Sequence, residues 1–359
     1  METFVYNGLP TRVIFGSGTA ERLRPEIERT SCRRALVIGT REQGASVEAI
    51  AASLGPMAAG TFAGAAMHTP TEVTQAALER FGQCDADCTV AIGGGSAIGL
   101  GKAIALRTDA MQFVLPTTYA GSEMTSILGE TENGVKTTQR TPKVQPEVAI
   151  YDVDLTLTLP VKLSATSGMN AIAHAVEALY AEDRNPIISV MAEQAIGALG
   201  RALPVIVSNP HDKPARSQAL YGAWLCGMCL GSVGMALHHK LCHVLGGSFD
   251  LPHAETHTVV LPHAFAFNAA AAPEAEQVVR RTLGGADGAR ALFDLAVALK
   301  APTSLRSLGM PESGIERAAD LAVKNAYWNP RALERDAIRD LIARAWTGEP
   351  PPPFSSAGA

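Results

Sequence analysis

The chain has 359 residues, 47% hydrophobic and 18% charged, with 33 glycines and 22 prolines. That length and balance exclude a disordered chain and suit two domains, each with its own core. A formal net charge of -5 offers no broad basic surface for a phosphate backbone, so nucleic acid is excluded as the expected partner and a small molecule is expected instead.

The opening METFVYNGLP lacks the basic start and apolar core of a signal peptide, and no apolar run reads as a membrane span. The expected setting is therefore the cytoplasm, with no membrane partner. Six cysteines are sparse for this length, and free thiols are expected. Cys226-Gly-Met-Cys229 lies in an apolar, helix-like stretch without a second such pair, so buried thiols explain it.

The first part of the chain alternates apolar strands at 34–39, 88–92, 112–116 and 147–152 with amphipathic segments. Such alternation predicts a parallel sheet covered by helices. After Asp152 the pattern becomes helical, with helices predicted over 167–181, 188–208, 215–245, 274–283, 289–299, 312–324 and 330–345. The expected domains are 1–157 (α/β, nucleotide-binding) and 158–347 (all-α). The Pro- and Ser-rich tail 348–359 should be loosely draped or disordered.

Gly93, Gly94, Gly95 and Ser96 follow an apolar strand and precede a helix, a placement that aims backbone N–H groups at an anion. The spacing departs from GxGxxG, so a glycine-requiring tight turn explains the glycines equally well. The next strand leads into Pro116, Thr117, Thr118, Tyr119, Ala120, Gly121, Ser122, a hydroxyl-rich loop at a strand end where such sheets bind ligands. Thr40 stands where an acidic residue would bond an adenosine ribose and repel a 2′-phosphate, so NADH and NADPH both stay open, with Arg41 available to the latter.

Asn170 and His174 are four apart, as are His239 and His243, so each pair shares a helix face. His253 follows in a predicted loop beyond Gly246 and Gly247, which are expected to end the second helix. Histidines gathered in this way suit metal binding or acid–base chemistry. For His68, His211, His238 and His263 an ordinary core or surface role is expected.

Taken together, GGGS (93–96), PTTYAGSEMT (116–125), SGMNAIAHAVEA (167–178), HKLCHVLGG (239–247) and LPHAETH (251–257) resemble the iron-containing (group III) alcohol dehydrogenase superfamily over nearly the whole chain. The resemblance implies a Rossmann-like parallel-sheet N-terminal domain and an all-α C-terminal domain, the dehydroquinate synthase-like fold, and a homodimer. It implies cofactor contacts from Thr40, Gly94, Gly95, Ser96, Thr117, Thr118, Ser122 and Lys136. The superfamily's metal ligands, an Asp and three His, match Asn170, His174, His239 and His253, and its non-ligand active-site histidine matches His243.

Two departures stand out: Asn170 replaces the carboxylate, and Gly99 replaces a usual Asp. Both are similar to one branch, the maleylacetate reductases, as are GVKTTQR (134–140) and YWNPR (327–331). That branch implies NAD(P)H-dependent reduction of the maleylacetate double bond to 3-oxoadipate in aromatic catabolism, with no metal required. His243 or His253 is then expected to supply the proton and the remaining histidines, His174 and His239 among them, to polarise the ketone, with Asn170 completing the site. Lys136, Arg140, His257, Arg331 and Tyr327 are candidates for the two substrate carboxylates. The alternatives are a metal-dependent alcohol or polyol dehydrogenase holding an ion on His174, His239 and His253, and a non-catalytic nucleotide sensor.

Overall fold

The structure, a computed structural model, describes residues 3–8 and 10–354, the side chain of Lys136 excepted. It divides into two units, residues 8–159 and residues 160–354 together with 3–7.

The first unit runs β1 (Arg12–Gly16), α1 (Leu23–Glu28), β2 (Ala35–Thr40), α2 (Gly44–Leu54), β3 (Ala58–Ala65), α3 (Thr71–Gln83), β4 (Cys88–Gly93), α4 (Gly95–Thr108), β5 (Met111–Pro116), β6 (Ile127–Glu132), β7 (Val135–Arg140) and β8 (Val148–Asp152). Six strands pair in parallel in the order β1-β8-β5-β4-β2-β3. The interior strands are buried end to end, and Val37, Val90, Ile92, Phe113, Leu115 and Ile150 meet Val47, Ile50 and Leu54 of α2 in one core. Continuous apolar runs are what a sheet covered on both faces requires.

Two strands of that sheet escaped the sequence pattern. The edge strand β3 reads AAGTFAGA, whose small residues give little β signal, and β1 is only five residues long. A separate antiparallel hairpin, β6–β7, also escaped it. It turns on Asn133 and Gly134, both at positive φ (50° and 77°), the Asn-Gly hairpin signal.

Lys102 of α4 is fully buried beneath the loop that follows β5. Its Nζ donates to the carbonyls of Ser122, Thr125 and Ile127 at 2.6–2.9 Å and to Thr125 Oγ1. Burial pushes the ammonium down to about 7, opposed by the Glu123 carboxylate nearby. One side chain thus pins the hydroxyl-rich loop to the helix that starts at the glycines.

The second unit is helical: α5 (Val161–Ala178), α6 (Pro186–Ser208), α7 (Lys213–Ser232), α8 (Leu237–Phe249), α9 (His253–Asn268), α10 (Pro273–Leu283), α11 (Gly288–Ala298), α12 (Gly314–Val323) and α13 (Arg335–Thr347). The single helix expected over 215–245 is two, α7 and α8, bent by 93° across the break at 233–236. Gly246 and Gly247 do not end α8, which continues to Phe249 and stops at Asp250 in the left-handed region (φ 51°).

The expected loop at His253 is instead the first residue of a 16-residue helix, α9. Pro252 before it supplies the extended residue from which a helix starts. Contrary to expectation, α6 is long and apolar enough to cross a membrane, but half of its apolar window is buried and it packs against α5 and α7. Core helices of this kind meet the same criterion.

All six cysteines are free and buried, Cys226 and Cys229 within α7. Of the tail expected to be loose, Pro351 is buried, and residues 355–359 lie outside the described residues.

Replacing Lys102 with Met would leave three carbonyls, that of buried Thr125 and those of half-buried Ser122 and Ile127, without their donor. Because an orphaned buried acceptor costs about 1–3 kcal/mol, Lys102→Met should lower unfolding free energy by about 3 kcal/mol or more. Equilibrium denaturation checks this, and a change below about 1 kcal/mol would show that the loop is held by other means.

Candidate active site

In the first unit, β4 ends at Gly93 and α4 starts at Gly95. Gly93 sits at φ 147°, and a Cβ there would lie 2.4 Å from Gln43 Oε1. A Cβ on Gly94 would lie 2.8 Å from Thr118 Oγ1, so the glycine turn and the threonine loop are in direct contact. Gln43 Nε2 donates to Thr117 Oγ1 at 2.9 Å, and the Gln43 side chain reaches back to the end of β2 at Thr40. Thr40, Gly94, Thr117 and Thr118 are therefore brought together around Gln43.

Gly95 is exposed, with open space where a side chain would be, and Ser96 and Ser122 are half-buried. Bare backbone at the start of a 14-residue helix fits a phosphate. Gly99 has no room for the Asp expected in metal-dependent relatives, since even a Cβ would stand 2.5 Å from Thr69 Oγ1. The side chain of Lys136, on β7, is outside the described residues.

In the second unit, α5 presents Asn170, His174 and Glu177 one helical turn apart, all buried. Facing them, α8 presents His238, His239 and His243, and α9 presents His253 and His257. The rings of His174 and His239 stack at 5.2 Å, His239 lies 6.3 Å from His243, and His257 lies 5.0 Å from His239 and 4.3 Å from His253. The four histidines singled out in the sequence do come together, joined by His238 and His257.

Glu177, which sequence reasoning passed over, organises the cluster. Its carboxylate accepts the backbone N–H groups of Ala236 (2.9 Å) and His238 (2.7 Å), capping α8, and the Nδ1–H of His239 (2.7 Å). A carboxylate only accepts, so His239 carries a proton on Nδ1, and this bond fixes the orientation of its ring. The available signal was spacing: Glu177 follows Asn170 and His174 by seven and three residues.

Burial separates the imidazoles into two sets. His174, His238 and His257 are buried and held well below the ordinary 6.5, first by desolvation and then by one another and the neighbouring histidines. His243 and His253 are exposed at the margin. The Nδ1 of His243 and the Tyr327 hydroxyl are 3.0 Å apart, and burial, then Glu177, raises the Tyr327 phenol.

His257 is thus a buried neutral ring, able to offer an N–H but not a surface cation. Arg331 donates to the Phe267 carbonyl and lies over the Phe267 ring at 4.1 Å, and Arg140 is exposed on β7. Asn329 and Asn268 exchange amide hydrogen bonds at 2.7 and 2.9 Å, fixing the segment that carries Tyr327.

With this geometry described, the family is plain. The iron-containing alcohol dehydrogenase family matches residues 10–153, and the C-terminal region of the Fe-containing alcohol dehydrogenase family matches residues 164–346. The chain belongs to the iron-containing alcohol dehydrogenase family.

Its relatives within that family include a maleylacetate reductase of Rhizobium sp. strain MTP-10005, 56% identical over 98% of this chain and 100% of that one. Another, from Sphingobium indicum, is 55% identical over 97% and 99%. The crystal structure of maleylacetate reductase from Agrobacterium tumefaciens superposes with a TM-score of 0.95 at 56% identity, covering 98% of this chain and 100% of that one.

The donor set lacks the carboxylate that the resemblance leads one to expect. Asn170 Oδ1 is buried and unpartnered where the resemblance places a carboxylate, and with His174, His239 and His253 it makes four neutral donors that leave a divalent charge uncompensated. Among the described residues of this unit, the donor atoms within 4.8 Å of one another belong to His238, Cys242 and His257 instead.

Two outcomes follow. Glu177→Gln replaces one accepting oxygen with a donor and should cost about 2 kcal/mol of stability and most of the turnover, measured by denaturation and initial rates. Stability should also depend on acid. The depressed imidazoles are neutral in folded and unfolded chains above 6.5, and below it the unfolded chain binds protons first. Their contribution is therefore full above 6.5 and is lost as pH falls below it. Denaturation midpoints at pH 7 and pH 5 check the sign.

Proposed function

We propose that the chain reduces the carbon–carbon double bond of maleylacetate to give 3-oxoadipate with NADH or NADPH, without a metal, as a cytoplasmic homodimer serving aromatic catabolism. The observation that carries this reading is a cluster of neutral buried imidazoles with Asn170 in the carboxylate's place and two exposed imidazoles, His243 and His253, at its margin. Similarity over nearly full length to chains named maleylacetate reductase supports the substrate.

The substrate's alkene is conjugated to a ketone. Addition of hydride to the alkene carbon β to that ketone moves the π electrons onto the ketone oxygen as an enolate, and a proton at the adjacent carbon completes the product. When bound, the reduced nicotinamide supplies the hydride. Thr40, Gly94, Gly95, Ser96, Thr117, Thr118 and Ser122 would hold it, with Lys136 as a further contact.

Conjugation already spreads the negative charge, so hydrogen-bond donors at the oxygen serve where an unconjugated carbonyl gains more from a Lewis acid. His243 and His253 are the imidazoles that solvent protons can reach, and Tyr327 orients His243. The Nδ1–H of His239 is held by Glu177, which orients that ring within the cluster.

The test follows NADH and NADPH oxidation with maleylacetate. General acid catalysis contributes about 10²–10⁴-fold, so His243→Ala or His253→Ala should lower kcat by about a hundredfold or more while the cofactor KM changes little. Near-wild-type turnover in both variants would overturn the assignment.

A further inference from the structure

His238 and His257 lie behind the exposed histidines, and the proposed reaction leaves them without a task. Their rings are fully buried, with His238 Nε2 and His257 Nδ1 3.0 Å apart. The sulfur of Cys242, one turn along α8, stands 3.7 Å from the same His238 Nε2. The remaining ring nitrogens, His238 Nδ1 and His257 Nε2, are buried without a hydrogen-bond partner.

A neutral imidazole nitrogen holds either one proton or one lone pair. Were His238 Nε2 bare, the Nδ1–H of His257 and the thiol of Cys242 would compete for a single lone pair. With the proton on His238 Nε2, that N–H is shared between the His257 Nδ1 lone pair and the soft sulfur, and both contacts are favourable. The proton of His257 must then sit on its other nitrogen.

We infer that His238, with Cys242 beside it, is a positioning residue that locks His257 in the Nε2–H form, making His257 a neutral N–H donor to an acceptor oxygen of the substrate. The chemistry around it complements this role. Asn170 Oδ1 is a buried, unpartnered acceptor, so the cluster needs a donor if it is to take an oxygen atom. The ketone oxygen and a carboxylate oxygen share that acceptor chemistry.

The inference rests on the reading of the cluster as the site of an oxygen-rich substrate, but its first test needs no turnover. Nitrogen-15 NMR of ring-labelled protein without ligand reads the tautomer of His257 directly. Protonated Nε2 with bare Nδ1 is expected, and protonated Nδ1 would overturn the inference whatever the activity.

The second test is kinetic. His238→Leu keeps the backbone N–H bonded to Glu177 but removes the ring donor, whereas His238→Gln retains an N–H near the position of Nε2. With one substrate hydrogen bond at stake, kcat/KM for maleylacetate should fall about tenfold or more in His238→Leu and recover most of the way in His238→Gln, with cofactor KM unchanged. A fall in kcat assigns the ketone oxygen, and a rise in KM assigns a carboxylate. Equal losses in both variants, or a parallel change in cofactor KM, would mark His238 as merely structural.

Discussion

One buried carboxylate organises the helical unit. Glu177 receives the N–H groups of Ala236 and His238 at the break between α7 and α8, and the ring N–H of His239 one residue on. The first two bonds satisfy donors that a helix start leaves open and so let α8 begin where α7 has ended, at a sharp angle. The third bond fixes a tautomer. Chain direction and proton placement therefore depend on the same two oxygen atoms, which makes the imidazole arrangement a property of α5 as much as of α8.

The consequence for chemistry is a division of labour by exposure. His174, His238 and His257, which cannot reach water, are held neutral and serve as fixed donors or acceptors, while His243 and His253, at the margin, can exchange protons with solvent. Asn170 belongs with the first group. An amide there leaves the cluster without the anionic donor that would offset a divalent ion, and the nearest convergence of donor atoms shifts to His238, Cys242 and His257, where a hydrogen bond links the two histidines.

Much of this was legible in the sequence. Interior strands such as CTVAI and QFVLP read clearly because a doubly covered sheet demands unbroken apolar runs, and Asn170, His174, His239 and His243 read clearly because side chains four apart share a helix face. What escaped depended on tertiary context. β3 gains its place from pairing with β2 and not from its Gly- and Ala-rich composition. The break before α8 lies in an apolar stretch, and side chains distant in sequence, Glu177 with Asp183 and Asn329, accept its backbone N–H groups. His253 seemed a loop residue because Gly246 and Gly247 were read as ending the helix, and Pro252 was not read as the start of the next. His238 was set aside as an ordinary core residue; it is buried and hydrogen-bonded as such residues are, but its partner is another histidine of the cluster.

The central proposal is that the imidazole cluster with Asn170 serves the reaction without a metal ion. It is tested most directly by measuring the metal content of protein purified without chelator together with its turnover of maleylacetate before and after dialysis against a chelator. The account predicts substoichiometric metal and unchanged turnover. One tightly held divalent ion per chain, whose removal abolishes turnover and whose return restores it, would contradict it.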